Sequence, residues 1–202
     1  MQVSDLIRCQ DLPCSDVAHD RYVVPGVELD PARISIVLIS EAAPPDPADY
    51  YYAPGSPLFQ ETTVQAFNDA GARVSCIQDI VDLGVYLTTA VKCGKTGYGL
   101  QAGTIQTCSH LLEQELALFP NARVLLLMGD VAIKAVNAIA RRVGQGRAIP
   151  AGSTYKIRGG EFYFQDKRAL PSYLQAGPSF FIEKSKRQMI AQDIETALRL
   201  IA

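Results

Sequence analysis

Glu41 follows the apolar run Ile34-Ser35-Ile36-Val37-Leu38-Ile39 and Ser40, and precedes Ala42, Ala43 and a proline-rich stretch. A carboxylate at the carboxyl end of a buried strand is placed for general-base work on water. It can equally bind backbone amides and shape the loop behind it. Five cysteines, Cys9, Cys14, Cys76, Cys93 and Cys108, make an odd set in a chain whose start has no apolar stretch of export-signal length. In a reduced compartment such thiols are core residues or metal ligands rather than a disulfide framework. Tyr50, Tyr51, Tyr52 and Phe59 supply aromatic faces that stack on a planar ligand or pack down over the core.

Three other patterns lack the rest of their machinery. Gly94-Lys95-Thr96 ends like a phosphate-binding loop, but Thr89 stands where the earlier glycine is required. His19 and His110 are far apart and have no metal-ligand spacing. Ser40 is not in a Gly-x-Ser-x-Gly elbow, so a hydrolase triad has no anchor.

The elements that must position these residues read as alternating strands and helices. Ile34–Ile39, Val85–Val91 and Val124–Met128 are apolar throughout, as in strands covered on both faces, and a shorter strand lies near Lys167–Leu170. Helices are expected over Thr63–Ala70, Thr104–Leu118, Asp130–Arg142 and about Glu183–Leu200, the second with Leu111, Leu112, Glu115 and Leu118 at helical spacing. Tyr155–Arg158 and Glu161–Phe164 read as a hairpin turning on Gly159-Gly160. Cys76 is expected in the core. This order predicts one domain over residues 1–202, a three-layer α/β/α sandwich with a central, mainly parallel four-stranded sheet. Ligands of such sheets bind beyond the strands' carboxyl ends, which places the loops after Ser40, Val91, Met128 and Leu170 on one rim.

Hydrophobic residues at 48% and charged residues at 20% fit a soluble globular domain, and no apolar run is long enough to span a membrane. A cytoplasmic, monomeric protein is the expectation. The formal net charge of −2 hides a division, for residues 131–202 carry 12 Lys and Arg against 5 Asp and Glu. That half either offers a basic face to phosphate or is simply solvated by its cations.

The rim loops carry a resemblance. Ser40-Glu41-Ala42-Ala43-Pro44 is similar to the Gly-Glu-x-Pro-Gly motif of the iron–sulfur (family-4) uracil-DNA glycosylases. Thr88-Thr89-Ala90-Val91-Lys92-Cys93 resembles their Thr-Asn-x-Val-Lys-Cys, and Cys108 matches the cysteine that opens their next helix. Leu127-Met128-Gly129-Asp130-Val131-Ala132 resembles their Leu-Gly-x-x-Ala turn, and Leu170-Pro171-Ser172-Tyr173-Leu174 their His-Pro-Ser-Tyr-Leu. The five fall in order over residues 34–200.

The resemblance implies a glycosylase that flips a uracil or other modified base from DNA and hydrolyses its N-glycosidic bond. It implies Glu41 as the catalytic carboxylate and Ala42, Phe59, Thr89 and Leu170 around the base. It also implies a [4Fe–4S] cluster on Cys9, Cys14, Cys93 and Cys108, with the first two in the N-terminal segment 1–30. Zinc tolerates the same ligands, and four ordinary buried thiols are the remaining reading. Phosphate contacts are expected from Ser172, Tyr173, Lys184, Lys186 and Arg187, and from Lys156 and Arg158, with Leu170 and Tyr173 as apolar elements near the DNA.

Two positions depart from the family. Thr89 replaces an amide by a single hydroxyl, and Leu170 replaces a histidine that donates to the departing base. Losing one such donor commonly costs about 10²–10³ in rate. The protein then accepts a different base, works slowly, or binds nucleic acid or base without hydrolysis. A nucleoside or nucleotide hydrolase using the same rim without a basic groove is a third reading.

Overall fold

The apolar runs form strands because residues covered on both faces need no alternation. The computed structural model describes residues 1–202. Six strands, β1 (Val17–Ala18), β2 (Ile36–Ala43), β3 (Val85–Lys95), β4 (Val124–Met128), β5 (Phe162–Phe164) and β6 (Lys167–Ser172), make one sheet ordered β1-β3-β2-β4-β6-β5. The inner four are mutually parallel, and β1 and β5 pair antiparallel at the two edges. The expected four-stranded sheet is therefore the centre of a six-stranded one. Of the two extra strands, β5 falls on the expected hairpin arm Glu161–Phe164, and β1, two residues long, is too short to show a period.

Seven helices cover the sheet: α1 (Leu58–Asp69), α2 (Ile77–Asp82), α3 (Ala102–Leu116), α4 (Asp130–Arg142), α5 (Thr154–Ile157), α6 (Ser179–Ile182) and α7 (Lys184–Arg199). Helices α3 and α4 pack together on one face, while α1, α2 and α7 lie on the other. One cluster of 54 buried residues runs from Val3 to Ala197 through both interfaces. No helix is long and apolar enough to cross a membrane.

Several boundaries differ from expectation for local reasons. Helix α1 starts five residues early, at Leu58 after Pro57, which brings Phe59 out of the loop and into a helical turn. Helix α2 was not expected; Ser75 donates to Asp79 Oδ2 from both its backbone N–H and its hydroxyl, each at 2.6 Å, and this fixes the first turn. Cys76 caps that helix and is half-buried rather than a core residue.

The hairpin also turns elsewhere. Thr154–Ile157 is a helical turn, and the actual hairpin joins β5 to β6 through Gln165 and Asp166. Gln165 has φ 54°, a conformation that favours glycine. Gln145 holds it there: its Oε1 accepts from the Gln165 N–H at 2.7 Å and its Nε2 donates to the Tyr163 carbonyl at 2.8 Å.

Candidate functional site

Parallel register brings the expected rim together. Ser40 pairs with Thr89, while Ile39 pairs with Leu127, which pairs with Pro171. Strand alternation then divides the side chains between the faces. The Thr88 hydroxyl donates to Glu115 of α3 at 2.8 Å, so the neighbouring Thr89 points to the α1 side. Ser40 points the same way and hydrogen-bonds Tyr51.

Glu41 turns toward α4. Its Oε1 lies 3.5 Å from the Val131 N–H, at the positive end of the helix dipole, and Lys95 Nζ is 4.0 Å from Oε2. Gly129 makes this approach, with φ 102°, and a Cβ there would stand 2.6 Å from Glu41 Oε1. The Glu41 side chain keeps 20% of its surface exposed, enough to meet water at the rim.

The expected base-binding residues are more enclosed. Ala42, Phe59, Thr89 and Leu170 are 5%, 9%, 0% and 5% exposed, and none lines any of the four principal cavities. Leu170 sits within β6 opposite Leu126, packed in the sheet. Phe59 is covered by Tyr51, whose ring centroid is 5.3 Å away at 57°. The Tyr51 hydroxyl accepts from Gln175 Nε2 at 2.8 Å, and burial pushes its pKa well up, so it remains a phenol. Tyr52 exchanges hydrogen bonds with the Leu87 backbone at 3.0 and 3.1 Å. The tyrosine triplet thus packs down over the core. Thr89 Oγ1, Gln175 Oε1 and the Tyr50 hydroxyl are buried with no hydrogen-bond partner.

Behind Thr89 lies a buried ion pair. Lys92 and Glu115 are both fully buried and directly bonded. Lys92 Nζ also donates to Thr88 Oγ1 at 2.7 Å and to the Thr89 carbonyl at 2.6 Å, and the Tyr86 hydroxyl donates to Glu115 Oε1 at 2.5 Å. Such charges are tolerable in a core only when hydrogen bonds satisfy both partners.

Cys9, Cys14, Cys93 and Cys108 line one cavity of about 530 Å³ between the N-terminal segment, β3 and α3. Burial, then the neighbouring Cys108, Cys9 and Cys14, pushes the Cys93 thiol up to about 12. Burial raises Cys108 as well. His19 enters the same cavity, with Nδ1 3.7 Å from Cys93 Sγ. Tyr22 anchors the segment by accepting from the Cys9 N–H at 3.2 Å and donating to the Ile7 carbonyl at 3.3 Å. The side chains ring the cavity without closing to metal-ligand spacing.

Residues 28–194, which carry the whole rim, match the family model of the uracil DNA glycosylase superfamily. The chain belongs to that superfamily. No curated protein matches it at a significant level.

Several residues expected to meet DNA in this superfamily member are engaged within the fold. Ser172 is fully buried and donates to Asp193 Oδ2 at 2.6 Å. Arg158 binds Asp193 at 2.8 Å, and Arg187 binds Asp69 through two nitrogens. Lys186 pairs with Glu183 at 2.6 Å and lies 5.5 Å from the Tyr173 ring centroid. Lys184 and Lys156 are exposed without a carboxylate partner. Leu170 is unavailable as an apolar wedge. Phe181 and Ile182, on α6, are 47% and 77% exposed and are the apolar side chains this region presents to solvent.

Sequence reasoning missed Gln175 and Asp193, and set aside Lys95 and His19 with patterns that lacked the rest of their machinery. Only Lys95 carried a signal, as a lysine in the loop that follows the strand ending at Val91, on the same rim as Glu41. The others arrive from segments whose approach no short-range pattern encodes.

Proposed function

We propose that this superfamily member is a monofunctional DNA glycosylase of the iron–sulfur type, acting on uracil or another modified base flipped out of single- or double-stranded DNA. The observation that carries this reading is the Glu41 carboxylate, held at the rim between the α4 N-terminus and Lys95 and still partly open to water. In this mechanism the oxygen of a water bound to Glu41 attacks C1′ of the sugar. The C1′–N bond breaks, its electron pair leaves with the base, and the water proton passes to the carboxylate.

The altered residues set the expected selectivity. Leu170 offers the departing base no hydrogen bond, so bases that leave readily are favoured. Thr89 Oγ1 and Gln175 Oε1 are polar groups left without partners, suited to a base's polar edge once Tyr51 moves off Phe59. Phe181 and Ile182 are of the kind that wedge between base steps.

The thiol cavity suits a [4Fe–4S] cluster on Cys9, Cys14, Cys93 and Cys108, because all four line one space. Such a cluster, when bound, supplies a redox-capable tie between the N-terminal segment and the β3–α3 unit; zinc suits the same thiolates.

The test is base release from oligonucleotides containing uracil, hypoxanthine or xanthine, with protein purified anaerobically. Release of at least one base by the wild type, and its loss in Glu41→Ala, is expected. Binding without release from every substrate would favour a non-hydrolytic superfamily member instead.

A further inference from the structure

The largest of the four principal cavities, about 840 Å³, is not at the expected base site. It is a groove between α3, α4 and the segment from Arg147 to Ile157. It begins at Asp130 and Ala102, beside the rim where Glu41 touches α4. Asp130, Lys134, Asn137 and Arg141 recur at helical spacing along one face of α4, so they line a path of about 16 Å at a rise of 1.5 Å per residue.

The far wall is fixed. Asn137 Nδ2 donates to the Ile149 carbonyl and its Oδ1 accepts from the Ile149 N–H, both at 2.9 Å. This double bond pins the segment that carries Arg147 against α4 without help from a ligand.

Charges along the groove are unequal. Lys134 is neutralised by Asp130 at 2.5 Å, and Arg142 by Glu113 at 2.6 Å. Arg141 and Arg147, on opposite walls, take part in none of the chain's ion pairs. Two free guanidiniums facing one cavity match phosphate oxygens, which they bind through forked N–H pairs. The groove's head at the rim and its cationic end together fit a chain of phosphates rather than one isolated anion.

We propose that Arg141 and Arg147 bind the phosphodiester backbone of a DNA strand running from the rim along the α3–α4 groove, an inference that rests on the DNA-acting reading above. The test is fluorescence anisotropy with single-stranded 20-mer and 5-mer probes over a salt series, for wild type, Arg141→Gln/Arg147→Gln and, as control, Arg73→Gln at an exposed arginine that lines none of the four principal cavities. Base release from a short substrate is measured in parallel.

The double variant should lose about tenfold in affinity for the 20-mer and flatten its salt slope by about 1.4, at roughly 0.7 per single-strand phosphate contact. Short-substrate turnover and the control should stay at wild-type values. An unchanged slope in the double variant, with wild-type binding and turnover intact, overturns the groove alone. Displacement of the 20-mer by inorganic phosphate or a mononucleotide at equal affinity would make this a small-anion site and also overturn it. Failure of the wild type to bind DNA at all would remove both readings.

Discussion

Glu41 occupies the space that a side chain at Gly129 would need: a Cβ there would lie 2.6 Å from Oε1 and 2.8 Å from Cγ. The strand that ends in a carboxylate and the turn that starts α4 are therefore mutually dependent. Gly129→Ala must both displace Glu41 and hold alanine at φ 102°, a conformation costing about 1–2 kcal/mol. Base release should fall at least tenfold while unfolding stays cooperative and Tm drops by about 2–8 °C. Wild-type turnover in this variant would show that the placement of Glu41 is immaterial.

Lys92 and Glu115 should behave as a unit. Lys92→Met leaves a buried carboxylate unpaired and should cost about 3–5 kcal/mol in denaturant unfolding. Adding Glu115→Leu should recover most of that loss. A single variant that costs under about 1 kcal/mol would mean that the pair is not what anchors the end of β3.

Tyr51 closes the aromatic face of Phe59 and is held by Ser40 and Gln175. If a base enters there, the closed form is a competitor of binding. Tyr51→Phe removes the anchoring hydroxyl, worth about 1 kcal/mol per hydrogen bond, and should tighten binding of DNA carrying an uncleavable modified base by about three- to tenfold. Weaker binding would instead assign the hydroxyl to a contact with the base.

Much of the site's frame was legible in the sequence. The apolar runs ending in Ser40, Val91 and Met128 located three parallel strands, and their carboxyl ends located the rim. Half of the buried ion pair left a trace, for Glu115 stands in an otherwise apolar helical stripe, whereas Lys92 lies just past the apolar run that ends at Val91. The partnering was not legible, because Lys92 meets Glu115 only through the packing of α3 on β3. Edge strand β1 was too short to read; β5 was read as a hairpin arm, but its turn was misplaced because Gln145 supports a non-glycine turn at Gln165. Likewise, residues such as Arg187 looked free on their helix until Asp69, 118 positions away, was brought beside it.

Cys93 should resist alkylation in metal-free protein. Its thiol is pushed up to about 12 by burial and by the other three cysteines, so the reactive thiolate is on the order of 10⁻⁴ of the total at pH 8. Modification read by peptide mass spectrometry should leave Cys93 behind half-buried Cys76, and its rate should still be climbing at pH 10. A rate that levels off below pH 9 would contradict this environment.

The central claim is that Glu41 activates water at the rim for hydrolysis of an N-glycosidic bond. Its most direct test is single-turnover base release by wild type and Glu41→Gln, with DNA affinity measured for both proteins. The account predicts a loss of about a hundredfold or more in the release rate at nearly unchanged affinity, within the span usual for a general base. Equal release rates in the two proteins would contradict it.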